Sequence, residues 1–222
     1  MQNRFYKSSI TLAILLILAS GSSAQVAISD SDFVSLFNGK TLSGWKLVGQ
    51  KGAGYYVQDG DIVCPEGGGG NLFSEKQYED FILRFEFKLE HGSNNGLAIR
   101  SPLKAGTDIA YDGMELQIID NSAERYRNIL PWQKHGSLYH LFPAKTGFLL
   151  PAGKWNDQEV TVSERNVRVI LNDHLILDVD LDSIKDPDIL RQHPGLKRNT
   201  GHIGFLGHDE PIRFRNVRIK EL

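Results

Sequence analysis

Cysteine is nearly missing from this chain. Cys64 is the only one in 222 residues, so no internal disulfide can brace the fold and the core has to hold it together. Alone, Cys64 reads as a small buried hydrophobe rather than a reactive thiol. A basic excess is missing too: 25 Lys and Arg face 27 Asp and Glu, a formal net charge of −2. Neither nucleic acid nor an anionic membrane is the expected partner of such a surface. The chain also lacks zinc-type Cys/His spacing, coiled-coil heptads and sustained helical periodicity. No apolar run reaches the roughly 20 residues that span a bilayer.

The run at residues 10–19 has another meaning. Arg4 and Lys7 precede it, and Ser22-Ser23-Ala24 places small residues before Gln25. That is the pattern of a secretory leader over residues 1–24. No cysteine follows to carry a lipid, so the expectation is export to the periplasm or the medium, with no membrane anchor in the mature chain. Losing Arg4 and Lys7 leaves 23 basic residues against 27 acidic ones, a net charge of −4. The remaining residues 25–222 suit one all-β domain with a sizeable core, the domain itself running over 33–222. Nothing in the pattern sets an oligomeric state.

The strongest strand signal is residues 81–89, where Phe81, Leu83, Phe85, Phe87 and Leu89 alternate with Arg84, Glu86 and Lys88. Asp59-Gly60 between two β-rich runs predicts a hairpin. Val160 to Val179 reads as a meander, with a helical turn expected within 180–190. In the last strand the apolar parity slips from Ile212 and Phe214 to Val217 and Ile219, which predicts a β-bulge near Arg215-Asn216. The glycines at 67–70 are followed by neither a Lys-Ser/Thr pair nor a helix, so they predict a flexible loop rather than a phosphate cradle. Residues 102–112 and 121–155 read as loops, the latter with one strand around 137–142. Many short strands and frequent turns indicate an all-β, two-sheet antiparallel β-sandwich.

The stretch around which the rest is arranged is Gly113-Met114-Glu115-Leu116-Gln117-Ile118-Ile119-Asp120-Asn121. Its alternation sends Leu116 and Ile118 to a core and presents Glu115 and Gln117 together on the opposite face. That face reads either as solvated polar surface or as the floor of a groove for a hydroxylated ligand. Arg100, His208 and Asp209 are candidates to join it. Arg100 equally suits an ion pair with a neighbouring strand, and His208 a turn. Asp120 has the wrong parity to join Glu115 unless a bulge falls between them; with one, two carboxyl groups would share a face, as glycosidic chemistry requires. Asn94 and Asn95 suit a turn or a ligand. Tyr126, Trp132 and Tyr139 could stack on a sugar ring or pin their loop to the core.

Several phrases resemble one family: Phe33 to Phe37 with Asn38-Gly39, then Gly44-Trp45; Gly92-Ser93-Asn94-Asn95-Gly96 with Arg100; Glu115-x-Gln117-x-x-Asp120; Gly153-x-Trp155-Asn156; Gly201-His202-Ile203-Gly204; and Phe214-Arg215-Asn216-Val217-Arg218-Ile219. In order and spacing they resemble the 3-keto-disaccharide hydrolase family, a laminin-G/concanavalin A-like jelly roll. Leu206-Gly207-His208-Asp209-Glu210 departs from the family's usual Gln-Asp-His-Gly while keeping the histidine, and His140 stands where a smaller residue is frequent. The resemblance implies cleavage of 3-keto-glycosides by C2 proton abstraction, elimination and hydration. It implies Glu115 as base or metal ligand, Arg100 as stabiliser of the enolate, and His208 as second acid/base or ligand. Asn95, Gln117, Asp120, Tyr139 and Trp132 would hold the sugar substrate. No cofactor is required by the pattern, and a divalent metal would draw on Glu115 and His208. Two alternatives remain open: a non-catalytic carbohydrate-binding module, and a laminarinase-type glycoside hydrolase, against which Gln117 stands where an assisting Asp is expected.

Overall fold

The computed structural model describes residues 30–106 and 108–222; the leader expected over residues 1–24 lies outside the described residues. Two antiparallel sheets face each other, the all-β sandwich that the strand pattern predicts. The larger contains β1 (Val34–Ser35), β3 (Tyr56–Gln58), β4 (Asp61–Cys64), β6 (Phe81–Leu89), β9 (Trp155–Ser163), β10 (Asn166–Leu171), β11 (His174–Asp180) and β13 (Ile212–Glu221). Their order is β11-β10-β9-β6-β13-β4-β3, with β1 beside the far end of β13. The smaller sheet runs β2 (Trp45–Lys51), β5 (Gly69–Tyr78), β12 (Gly201–His208), β7 (Asn94–Ser101), β8 (Met114–Ile119). Two short helices, α1 (Ile109–Asp112) and α2 (Pro187–Gln192), lie in connections.

The core follows from alternation. Phe81, Leu83, Phe85, Phe87 and Leu89 of β6 are all buried in the core between the sheets. Phe205 of β12 stacks on Phe214 of β13 at 3.8 Å, and Phe85 meets Phe205 edge-on at 5.7 Å, so aromatic contacts join the two layers. Asp59 and Gly60 both have positive φ, 55° and 84°, as a tight two-residue hairpin turn demands. The β13 register on β6 slips between Arg215 and Arg218, with Asn216 at φ 52°, and this bulge returns Val217 and Ile219 to the core.

Three connections depart from expectation. Gly69 and Gly70 are not loop: they open β5, at φ 130° and 100°, and a Cβ on Gly70 would stand 2.7 Å from the Gly49 carbonyl oxygen. The loop before β8 contains α1. Around 137–142 there are only bridges of Leu138 to Leu116 and to Phe142. The stretch before them nevertheless covers the outer edge of β8: Gly136 N–H donates to the Gln117 carbonyl at 2.8 Å, Gln117 N–H to the Ser137 carbonyl at 3.0 Å, and Tyr139 N–H to the Glu115 carbonyl at 2.8 Å. Among the described residues no helix is long and apolar enough to cross a membrane.

Candidate active site

Met114, Leu116 and Ile118 belong to the core, so β8 turns Glu115 and Gln117 to the outer face of the five-stranded sheet. Strand register aligns that face in rows. Glu115 lies beside Ala98, Gly204 and Phe73 in turn, and Gln117 beside Gly96, Leu206 and Asn71. Neither side chain is solvated, with Glu115 7% and Gln117 5% exposed. What covers them is α1 and the loop before it. Ile109 packs with Phe73, Ala98 and Leu206 into a small second apolar cluster on this face. Asn71 ties the loop down, its Nδ2 donating to the carbonyls of Lys104 and Gly106, both at 3.1 Å. Between sheet and loop lies a pocket of about 240 Å³, lined by Glu115, Asn71, Leu206, Lys51, His208 and Asp209. Gly49, Gly70, Gly106 and Gly207 also line it and leave it room.

Glu115 leans over Gly96, where a Cβ would overlap its Oε1. Its carboxylate has no hydrogen-bond or ion-pair partner among the described residues. Burial alone therefore raises its pKa from 4.5 to about 7. His208, the last residue of β12, is shifted the other way: burial lowers its pKa, against the opposing pull of Asp209, and the imidazole is neutral near pH 7. Asp209, at φ 73°, carries the chain off the strand and forms a salt bridge with Lys51 at the pocket mouth. A carboxyl group near neutrality and a neutral imidazole in one pocket are an acid/base pair in the making.

The other expected residues are distributed differently. Arg100 does not line this pocket. Its guanidinium is 1% exposed and donates to Asp80 Oδ1 at 2.9 Å and the Glu79 carbonyl at 3.3 Å, fastening the end of β7 to the β5–β6 turn. Burial lowers its pKa, opposed by Asp80. Asn95 pairs with Ile118 on the core side, and its Nδ2 donates to the Tyr55 hydroxyl at 2.9 Å; Asn94 takes the outward place. Asp120 is also elsewhere. The β7–β8 register runs unbroken from Met114 to Ile119, so the bulge that would bring Asp120 beside Glu115 does not exist. Burial would raise the Asp120 pKa, but N–H donors from Gly92 and Ser122, both at 2.9 Å, and the Ser122 hydroxyl at 2.6 Å outweigh it and hold the carboxylate below its ordinary value. It lines a different cavity with Asn121, Ser122 and Lys134.

Tyr139 comes into register beside Glu115 through its backbone bond, while Trp132 packs edge-on against Tyr139 at 5.1 Å and His140 at 4.8 Å. Neither Trp132 nor Tyr139 lines the pocket. His140 Nδ1 lies 3.0 Å from His193 Nε2, and Tyr111 of α1 packs on His193 at 4.7 Å. Burial, with Tyr139 and Glu115 nearby, raises the Tyr111 pKa and keeps its hydroxyl a proton donor. Sequence reasoning missed Tyr111, His193, Lys51, Asn71 and Gly96. Of these only Gly96 carried a local signal, a glycine inside an otherwise regular strand. Among the described residues no group of three or more His, Cys, Asp or Glu is placed to hold a metal ion; Glu115 and His208 would supply two donors to one.

By fold this is a galectin-like sandwich. A Bacillus subtilis protein of unknown function with a galectin-like fold matches it with a TM-score of 0.59 at 14% identity, over 81% of this chain and 90% of that one. More particularly, the chain belongs to the 3-keto-alpha-glucoside-1,2-lyase-like domain family, whose profile matches residues 32–220. It is similar to a 3-keto-disaccharide hydrolase of Bacteroides thetaiotaomicron, 25% identical over 90% of this chain and 82% of the relative. It is also similar to a crystal structure from Parabacteroides distasonis provisionally assigned as a glycosyl hydrolase, 25% identical, TM-score 0.71, covering 88% of this chain and 98% of that one. At family level these matches support a hydrolase acting on carbohydrate.

Proposed function

We propose that the protein cleaves 3-keto-glycosides, taking the keto sugar into the pocket beneath the loop at 102–112. The observation that carries this is Glu115, a buried carboxyl group with a pKa of about 7 and no partner among the described residues, in a pocket that Lys51, Asn71, His208 and Asp209 also line. A ketone at C3 acidifies the C2 proton, and a base of that pKa is matched to removing it near neutrality. Glu115 takes the proton, the negative charge moves to the C3 oxygen, and its return expels the C1 substituent to leave a C1–C2 double bond. A water molecule gives a proton to the departing oxygen and its hydroxide adds at C1. Glu115, its proton meanwhile exchanged with solvent, then protonates C2, so one water is consumed and the result is hydrolysis. Lys51, the cation that lines the pocket, takes the enolate-stabilising part expected of Arg100. His208 contacts the departing oxygen; Gln117 and Tyr139, expected to hold sugar hydroxyls, are not among the residues that line the pocket. Export completes the proposal; the mass of the N-terminus of the secreted protein checks cleavage after Ala24.

The test is incubation of the mature chain with 3-keto-glucosides in deuterated water, following products by mass. Turnover with deuterium at C2 is expected, with kcat/KM rising with pH through about 7 as Glu115 ionises. Glu115→Gln should lower kcat by at least about 100-fold. Unimpaired turnover in that variant removes Glu115 from the chemistry. Calorimetric binding of ordinary glycans without turnover of any keto sugar would instead make the chain a binding module.

A further inference from the structure

Asn71 stands across the pocket from Glu115. Glu115 leans over Gly96, so its carboxylate lies in the row of Gly96, Leu206 and Asn71 rather than in that of its own Cα. Leu206, on the strand between, is the floor of the pocket. The backbones of Gly96 and Asn71 are two strand spacings apart, roughly 10 Å. That is the breadth of one pyranose ring with its hydroxyl groups.

The amide of Asn71 has only one orientation. Its Nδ2 donates to the carbonyls of Lys104 and Gly106, both at 3.1 Å, which uses both of its hydrogens. Oδ1 accepts from no donor among the described residues and, on a residue that lines the pocket, is the acceptor left for a ligand. Lys51 lies on the same side, pairing with Gly69, two residues from Asn71 along β5. A cation beside a fixed acceptor matches a ketone oxygen next to a hydroxyl group, with the C3 oxygen on Lys51 and the C4 hydroxyl on Asn71. This pairing bears on the chemistry. A ketone at C3 acidifies the proton at C4 as well as the one at C2, so a base alone does not choose between them. With C3 and C4 held on the far wall, C2 is the acidified carbon that faces Glu115.

We propose that Asn71 determines which proton is removed: its Oδ1 accepts the C4 hydroxyl of the keto sugar and so sets C2, not C4, before Glu115. This rests on the 3-keto-glycoside activity, and the experiment separates the two. Methyl 3-keto-glucoside and its 4-deoxy analogue are compared on the wild-type mature chain and on Asn71→Ala. On each, kcat/KM is measured, and deuterium taken up from deuterated water is located in substrate and product. The wild type is expected to favour the hydroxylated sugar by about tenfold or more and to place deuterium at C2 alone. In Asn71→Ala the two sugars should come within about twofold of each other, and deuterium should appear at C4 of methyl 3-keto-glucoside too. A loosened roof would slow both sugars alike, so a preference that survives the substitution undiminished overturns the proposal. Equal turnover of the two sugars by the wild type, or deuterium confined to C2 in Asn71→Ala, overturns it as well; in all three cases the activity stands. If neither sugar is turned over, the activity falls, and calorimetric binding of both sugars to both proteins makes the same comparison. A preference lost in Asn71→Ala then supports the hydroxyl contact, and equal or absent binding to the wild type overturns it.

Discussion

At the scale of single residues the site depends on an absence. Glu115 reaches over β7 into the pocket because position 96 has no side chain, and a Cβ there would occupy the space of its Oε1. The identity of Glu115 as the central carboxylate was legible from Glu-x-Gln alternation; the glycine that positions it was not, because Gly96 lies 19 residues away and meets Glu115 only through sheet register. Arg100 shows the converse. It was a candidate for the functional face, but its backbone at φ 48° leaves the strand conformation and its side chain is consumed by Asp80 and Glu79. Gly96→Ala tests the positioning role. The clash falls on the end of a flexible side chain, so thermal stability should change little. Displacing the carboxylate by about 1 Å should cost on the order of 100-fold in kcat. Parallel thermal melts and kinetics check this; loss of fold and activity together would make Gly96 a packing residue only.

At the scale of elements, what was readable depended on whether alternation alone specified a strand. β6, the β3–β4 hairpin, the β9–β11 meander and the β13 bulge all carry uninterrupted period-2 patterns or turn residues with one geometry. β5 does not. It begins in glycines and carries Asn71 and Ser74 among its buried positions, so its pattern resembles a loop although both neighbours hydrogen-bond to it. Those same irregular residues make the pocket: Gly70 lines it and Asn71 fastens its roof. The loop at 102–112 was likewise read only as a connection, since a bond from Asn71 across 33 residues leaves no local trace. Asn71→Ala should release the roof. Amide hydrogen exchange in the loop is expected to accelerate, KM to rise severalfold, and stability to fall by about 1–2 kcal/mol for two lost hydrogen bonds at a buried position. Unchanged exchange in residues 102–112 would show that Ile109 packing alone holds it.

For the whole molecule, the buried acid that serves the site should be visible in stability. Unfolded, Glu115 ionises near 4.5; folded, it keeps its proton until about pH 7. Between those values the native state binds the extra proton, so stability falls as pH rises through the window and the loss is complete above pH 7. At about 1.4 kcal/mol per pH unit, the cost approaches roughly 3 kcal/mol. His135 acts oppositely. It is buried against Phe87, its Nε2 lies 3.0 Å from Gln158 Oε1, and burial lowers its pKa from 6.5 to about 4. The unfolded state therefore takes that proton first, and stability falls as pH drops from 6.5 to 4. Over pH 4.5–6.5 these two slopes oppose each other and partly conceal Glu115 in the wild type. Subtracting the wild-type stability from that of Glu115→Gln cancels the His135 contribution. Urea midpoints of the two proteins from pH 4 to 8 should show the variant gaining on the wild type from about pH 4.5 and levelling off above 7. A difference constant across that range would mean that Glu115 ionises in the fold as readily as in water, and the pocket would then lack the shifted base on which the proposed chemistry depends.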